Sequence, residues 1–204
     1  MVFSTLLFLF RFLPITLALY YLAPAKWKNT VLFLCSLVFY SWGEVRLFPV
    51  MAAAILINYT AGLGMEKFAH SKRARLFFLL YSIVGSLGML MFFKYTNFFI
   101  TNLNALLGTS ISTLSLTLPL GISFYTFQTM SYSIDVYRGD VPAEHNLIDF
   151  GAYVVMFPQL IAGPIVKYRD VSDRLHVLKG RVTMDRVEEG VYLFILGLAK
   201  KVLL

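Results

Sequence analysis

The sequence predicts an all-α fold, a polytopic bundle of transmembrane helices, and three observations carry that prediction. Of its 204 residues 58% are hydrophobic and 14% charged, whereas a soluble domain has roughly 45–50% and about a quarter. Mean hydropathy is +0.72. The charges fall between uncharged runs, several of them long enough to cross ~30 Å of hydrocarbon as helices with every backbone group satisfied internally. The 18 Lys and Arg, against 11 Asp and Glu for a net charge of +7, gather in short clusters between those runs, as they do in the cytoplasmic loops of membrane proteins. A 16% share of aromatic residues excludes a disordered chain. One cysteine, Cys35, excludes an intramolecular disulfide and any CxxC metal or redox site. The basic residues do not line one helix face with interleaved aromatics, so nucleic acid is not the expected partner; the lipid bilayer is.

Taken in order, residues 2–22 form the first predicted span, interrupted only by Arg11. Ala23-Pro24-Ala25 resembles a cleavage site, but no positive segment precedes the apolar run, so an uncleaved span is the reading. Runs at 29–43, 47–65, 76–94 and 117–137 supply further spans, and 94–116, whose one charge is Lys94, reads as an interfacial amphipathic piece. Segment 150–166 is too short to cross fully, and Pro158, Gly163 and Pro164 break it. The last apolar stretch, 187–204, meets Lys200 and Lys201 and reads as a truncated helix. With no repeat or linker visible, 1–204 reads as part of one membrane domain, its N-terminal portion, in an incomplete bundle.

Basic loops set the orientation. Lys26 and Lys28 follow the first span, only Arg46 the second, and Lys67, Lys72, Arg73 and Arg75 the third, which places the N-terminus outside. The fifth span then returns to the cytoplasm at Arg138. Loop 167–186, with Lys167, Arg169, Arg174, Lys179, Arg181 and Arg186, belongs on the same side. Segment 150–166 is therefore expected to enter and leave the membrane on one face, as a re-entrant segment whose freed backbone groups are buried in protein or wetted.

No GxSxG elbow, phosphate loop or HExxH motif is present, and His70, His145 and His176 all fall in loops. The informative stretch is LPLGISFYTFQTMSYSIDVYRG, 118–139. At about 100° per residue Gly121, Tyr125, Gln128, Tyr132 and Asp135 share one face, with Met130, Ile134 and Tyr137 opposite. Two readings stand: the polar groups hydrogen-bond to neighbouring helices, or they wall a wet cavity with Asp135 near its rim. Arg11 lies near the middle of its span and should pair or face water, with Glu44 one possible partner and Pro14 freeing a carbonyl nearby. Gln159 either contacts substrate or satisfies the backbone of the break it sits in.

The segments VFSTLLFLFRFLP (2–14), LVFYSWGE (37–44), INYTAG (57–62), FKYTNFF (93–99), 118–139, FPQLIAGPIVKY (157–168) and GLAKKVLL (197–204) together resemble the membrane-bound O-acyltransferase family, in its alginate O-acetyltransferase branch. The resemblance spans essentially the whole chain. It implies a longer multi-pass protein of the bacterial inner membrane, with helices and re-entrant segments enclosing a funnel. It also implies acetyl transfer from a cytoplasmic donor, acetyl-CoA, towards an exopolysaccharide hydroxyl, finished by an extracytoplasmic acetyltransferase or other polysaccharide-modifying partner. No bound cofactor and no metal is implied. The family's hallmark histidine lies in an apolar segment of the second half, and none of His70, His145 or His176 matches it, so it is expected beyond Leu204. Tyr125, Gln128, Asp135 and Gln159 are then the substrate-funnel candidates, as supporting and not catalytic groups, and the 204 residues alone are expected to be inactive. D-alanyl or other acyl transfer to a cell-wall polymer, and a non-enzymatic transporter or scaffold, remain the alternatives.

Overall fold

The computed structural model describes residues 5–160, 166–176 and 184–203, and every regular element among them is helical. Helix α1 (Leu13–Leu22) follows a π-helical turn, Phe8–Phe12, in which the Leu13 amide donates to the Phe8 carbonyl, five residues back. Pro14 lies at the start of α1. Lacking an amide hydrogen and crowding the carbonyl four residues earlier, it favours such a shift of register. Helices α2 (Lys28–Glu44) and α3 (Phe48–Lys67) are joined by one tight turn, Val45–Leu47, with Pro49 in the first turn of α3.

Helix α4 (Lys72–Leu107) runs for 36 residues, capped at its start by Ser71 Oγ, which accepts from the Ala74 amide at 3.3 Å. It continues past Lys94 where the sequence suggested a separate interfacial piece. No proline or glycine interrupts it between Met89 and Leu107, and Gly108, at φ 63°, ends it. The chain then returns along α4 without helical structure. Asn97 and Asn104, two turns apart, clamp the return: Asn97 donates to Leu114 O at 2.8 Å and accepts from Leu114 N at 2.9 Å. Asn104 treats Ile111 the same way, at 2.8 and 3.0 Å.

Helix α5 (Ile122–Arg138) starts later than residue 117, because Pro119 and Gly121, at φ 72°, keep the approach non-helical. Helix α6 (Leu147–Val155) is capped by Asn146 and stops at Met156, after which α7 (Phe157–Leu160) makes one turn containing Pro158. Helices α8 (Tyr168–His176) and α9 (Met184–Leu203) complete the described chain. Residues 161–165 of the expected re-entrant segment lie outside the described residues.

Helix α3 is the hub, packed against both α4 and α5, while α2 packs on α6. Glycines let these pairs close up, as in many membrane bundles. A Cβ on Gly62 would stand 2.5 Å from Tyr132 Oη of α5, and one on Gly151 of α6 would stand 2.5 Å from the Phe33 ring of α2. A smaller aromatic cluster of Phe8, Phe12, Phe39 and Phe157 joins the first turn, α2 and α7, with neighbouring ring centroids 5.3–6.0 Å apart.

Two helical segments, Val45–Lys67 and α4, are long and apolar enough to cross a membrane. The apolar surface is left on the outside, with Phe77, Leu80 and Val84 of α4 among the exposed side chains. The chain is a membrane protein, and α3, α4 and α5 bury polar side chains such as Asn58, Ser82, Ser86, Thr129 and Ser133.

Candidate functional site

Helix α5 carries the site. Its buried arc is about half the circumference, wider than the single polar face read from periodicity. The expected stripe is there: Tyr125, Gln128, Tyr132 and Asp135 are all buried. Met130, Ile134 and Tyr137, on the opposite side, are only partly so. Beside it runs a second buried stripe, Thr126, Thr129 and Ser133, which the sequence reading left out.

The second stripe faces α3 and α4. Ser133 Oγ donates to Asn58 Oδ1 at 2.9 Å, and Ser82 Oγ of α4 donates to the same oxygen at 2.7 Å. The Asn58 amide in turn donates to Ser86 Oγ of α4 and to its own helix at Ala54 O, each at 2.9 Å. One amide thus ties three helices together, and all four polar side chains are buried. Thr129 is content with its own helix, donating to Tyr125 O at 2.8 Å. The Thr126 hydroxyl is buried without a hydrogen-bond partner among the described residues.

The first stripe faces α6, α8 and the loop at 139–146. Gln128 Nε2 donates to Tyr153 O at 2.9 Å, close to where α6 breaks. Tyr132 Oη accepts from the Glu144 amide at 2.9 Å. Glu144 is itself a buried carboxylate: Oε1 accepts from Asn146 N at 2.8 Å and Oε2 from the Tyr168 hydroxyl. Burial, and then the carboxylate beside it, push the Tyr168 hydroxyl above its ordinary range, so it stays a proton donor. The rings of Tyr132, Phe150, Tyr153 and Tyr168 pack against one another here, Tyr132 standing 4.6 Å from Phe150 and 5.1 Å from Tyr168. Tyr153 Oη reaches on to Val166 O at 2.8 Å. The polar stripe, the broken helix and the chain leaving it are therefore one connected assembly.

The sequence candidates fall into place unevenly. Tyr125, Gln128 and Asp135 share the buried face of α5, and Gln128 is used to hold α6. Gln159 sits in α7 with a buried Nε2 that has no acceptor among the described residues; residues 161–165 of the break lie outside them. At the start of α7, Phe157 N donates to Ser36 Oγ of α2 at 3.3 Å. Arg11 is exposed on the π-helical turn and forms no ion pair among the described residues; the side chain of Glu44 lies outside them. His145 is on the surface, 3.0 Å from Glu66. His70 is exposed, and the side chain of His176 lies outside the description. Among the described residues no group of His, Cys, Asp and Glu could hold a metal ion.

A helical membrane protein with a buried polar seam leading to a broken helix is the class these features define. Over 99% of its length the chain is similar to proteins named "probable alginate O-acetylase": it is 43% identical to that of Pseudomonas aeruginosa and 42% to that of Azotobacter vinelandii, covering 39% and 41% of those proteins. It is also 31% identical, over its whole length and 44% of the relative, to a peptidoglycan O-acetyltransferase of Helicobacter pylori. The chain is thus a homologue of the alginate O-acetylases and spans about two fifths of the length of the curated relatives it matches. No family model matches it. No solved structure matches it either.

Proposed function

We propose that this chain is part of a membrane-bound O-acyltransferase of the bacterial inner membrane that moves acetyl groups towards an exopolysaccharide, and that it builds one wall of the acyl-transfer funnel. The 43% identity to an alginate O-acetylase over 99% of the chain carries this reading. Acetyl-CoA is the donor that the resemblance implies: a sugar hydroxyl attacks the thioester carbonyl, a C–O bond forms, the C–S bond breaks, and the hydroxyl proton leaves with the thiol. Such a step needs a general base and donors for the oxyanion. The resemblance puts the base on a histidine within an apolar segment, and none of the three histidines here lies in one; the base is then expected from outside these residues. Gln159, a buried amide donor without an acceptor among the described residues, is suited to the oxyanion or the acceptor hydroxyl.

The membrane is crossed several times, with the N-terminus outside and segment 150–166 re-entrant. The break supports this: Leu147–Gln159 is only 13 residues, broken at Met156, about 20 Å, against ~30 Å of hydrocarbon. With Cys35 replaced, single cysteines at His145 and Lys179 should label from the same face; labelling from opposite faces removes the re-entrant segment.

The activity is tested in the whole protein by changing its intramembrane histidine to alanine. Polymer-linked acetate, measured after mild alkaline release, should disappear while the protein still inserts. Unchanged acetate would reject the acyltransferase reading. The similarity to a peptidoglycan O-acetyltransferase favours a second acceptor, a wall polymer; acetate lost from peptidoglycan and kept on exopolysaccharide would select it.

A further inference from the structure

At the end of the bundle away from Glu144, three elements meet around an open groove of about 690 Å³. The α2–α3 turn contributes Val45, Arg46 and Leu47, helix α4 contributes Phe93, and the return segment contributes Ser115, Leu116 and Thr117. We propose that this groove seats the phosphate of an anionic phospholipid on Arg46, with the lipid's glycerol end and upper acyl carbons against its apolar walls.

The groove's level in the membrane comes first. Lys72 and Lys94 bracket α4, and the 22 residues between their positions rise about 33 Å, close to the ~30 Å of hydrocarbon. Phe93 therefore lies at one hydrocarbon boundary, with Lys94 a residue beyond it. Trp42 and Tyr95, amphipathic rings that settle at such boundaries, are exposed beside the same end. A groove at that depth meets lipid phosphates and glycerol groups.

Charge comes second. Arg46 is exposed and forms no ion pair among the described residues. A guanidinium binds a phosphate through two parallel N–H donors, a geometry that lysine lacks. The Ser115 and Thr117 side chains line the same groove and can serve the remaining oxygens.

The wall composition separates lipid from sugar. Val45, Leu47, Phe93 and Leu116 form the rest of the lining. A uronate carboxylate would also find Arg46, but each sugar ring brings several hydroxyls that need partners, and two hydroxyl side chains cannot supply them. Acyl carbons need none.

The test uses the whole protein, delipidated in a neutral detergent and titrated with dioleoyl phosphatidylglycerol or dioleoyl phosphatidylcholine while its unfolding temperature is followed. Phosphatidylglycerol should stabilise at lower concentration than phosphatidylcholine. Arg46→Gln should weaken that response about tenfold, the loss of one charge-assisted contact, whereas Lys94→Gln should weaken it less. Because Arg46 is exposed, the variant keeps the fold. The double variant Ser115→Ala, Thr117→Val should also weaken the response with the charge intact. An unchanged response in Arg46→Gln, or equal stabilisation by the two lipids, overturns the proposal. So does displacement of phosphatidylglycerol by a soluble oligouronate that depends on Arg46, since the anion would then be a saccharide carboxylate.

Discussion

Ser133 on α5 donates its hydroxyl to Asn58 Oδ1 on α3, 75 residues away in sequence, at 2.9 Å. In hydrocarbon such a contact holds helices together where the hydrophobic effect cannot, because lipid tails are as apolar as leucine. Here it is one of three interhelical bonds on a single amide, the others reaching Ser82 and Ser86 of α4.

Asn58→Leu removes all three at once. At about 0.6 kcal/mol per bond, the membrane average, the loss is about 2 kcal/mol. The variant should unfold at lower SDS mole fraction than the parent, and an unchanged midpoint would show that α3, α4 and α5 are held by packing alone.

Close approach gives a steric counterpart. Gly62→Ala places a Cβ 2.5 Å from Tyr132 Oη, so the ring must move, and with it the acceptor of the Glu144 amide. Gly88→Ala, with nothing within 4 Å, only gains helix propensity, about 1 kcal/mol in an exposed helix interior. The two alanines should shift the unfolding temperature in opposite directions. A shared sign would mean that Tyr132 does not hold the loop.

Periodicity showed part of this arrangement and no more. Tyr125, Gln128, Tyr132 and Asp135 were legible because 100° steps bring them to one face and two of them, Gln128 and Asp135, are unmistakably polar for a span. Thr126, Thr129 and Ser133 escaped notice because hydroxyls that can bond to their own helix carry little signal in an apolar segment. Asn58 drew no reading, since its partners lie 24, 28 and 75 residues away. Glu144 drew no reading either; only the fold brings Tyr132 and Tyr168 to it. The length of α4 was hidden by Lys94, which marks a membrane boundary but does not stop a helix.

The Tyr168–Glu144 contact predicts an alkaline limit. Burial and the neighbouring carboxylate raise the Tyr168 pKa in the folded protein above its ordinary value, which is about 10. A raised pKa means that the folded state holds its proton more tightly than the unfolded one. Its contribution to stability is then complete below about pH 10 and is lost as pH rises beyond that. Unfolding midpoints measured from pH 8 to 11 should fall more steeply for the parent than for Tyr168→Phe, which has no proton to lose. Parallel slopes would remove Tyr168 as the source.

The funnel reading is tested by Asp135 and Gln159 together in the whole enzyme. Asp135 is buried on the α5 face, but its role is support, so Asp135→Asn should lower polymer-linked acetate only partly. Gln159→Leu removes a buried donor that has no acceptor among the described residues, so no hydrogen bond described here is lost through Nε2. If that amide meets substrate, the loss should appear as a fall in acetate of about tenfold, the worth of one donor at roughly 1.4 kcal/mol, with expression and unfolding temperature unchanged. A Gln159→Leu protein that acetylates normally takes Gln159 out of the funnel. Abolition by Asp135→Asn as complete as that of the histidine change would move Asp135 from the wall into the chemistry.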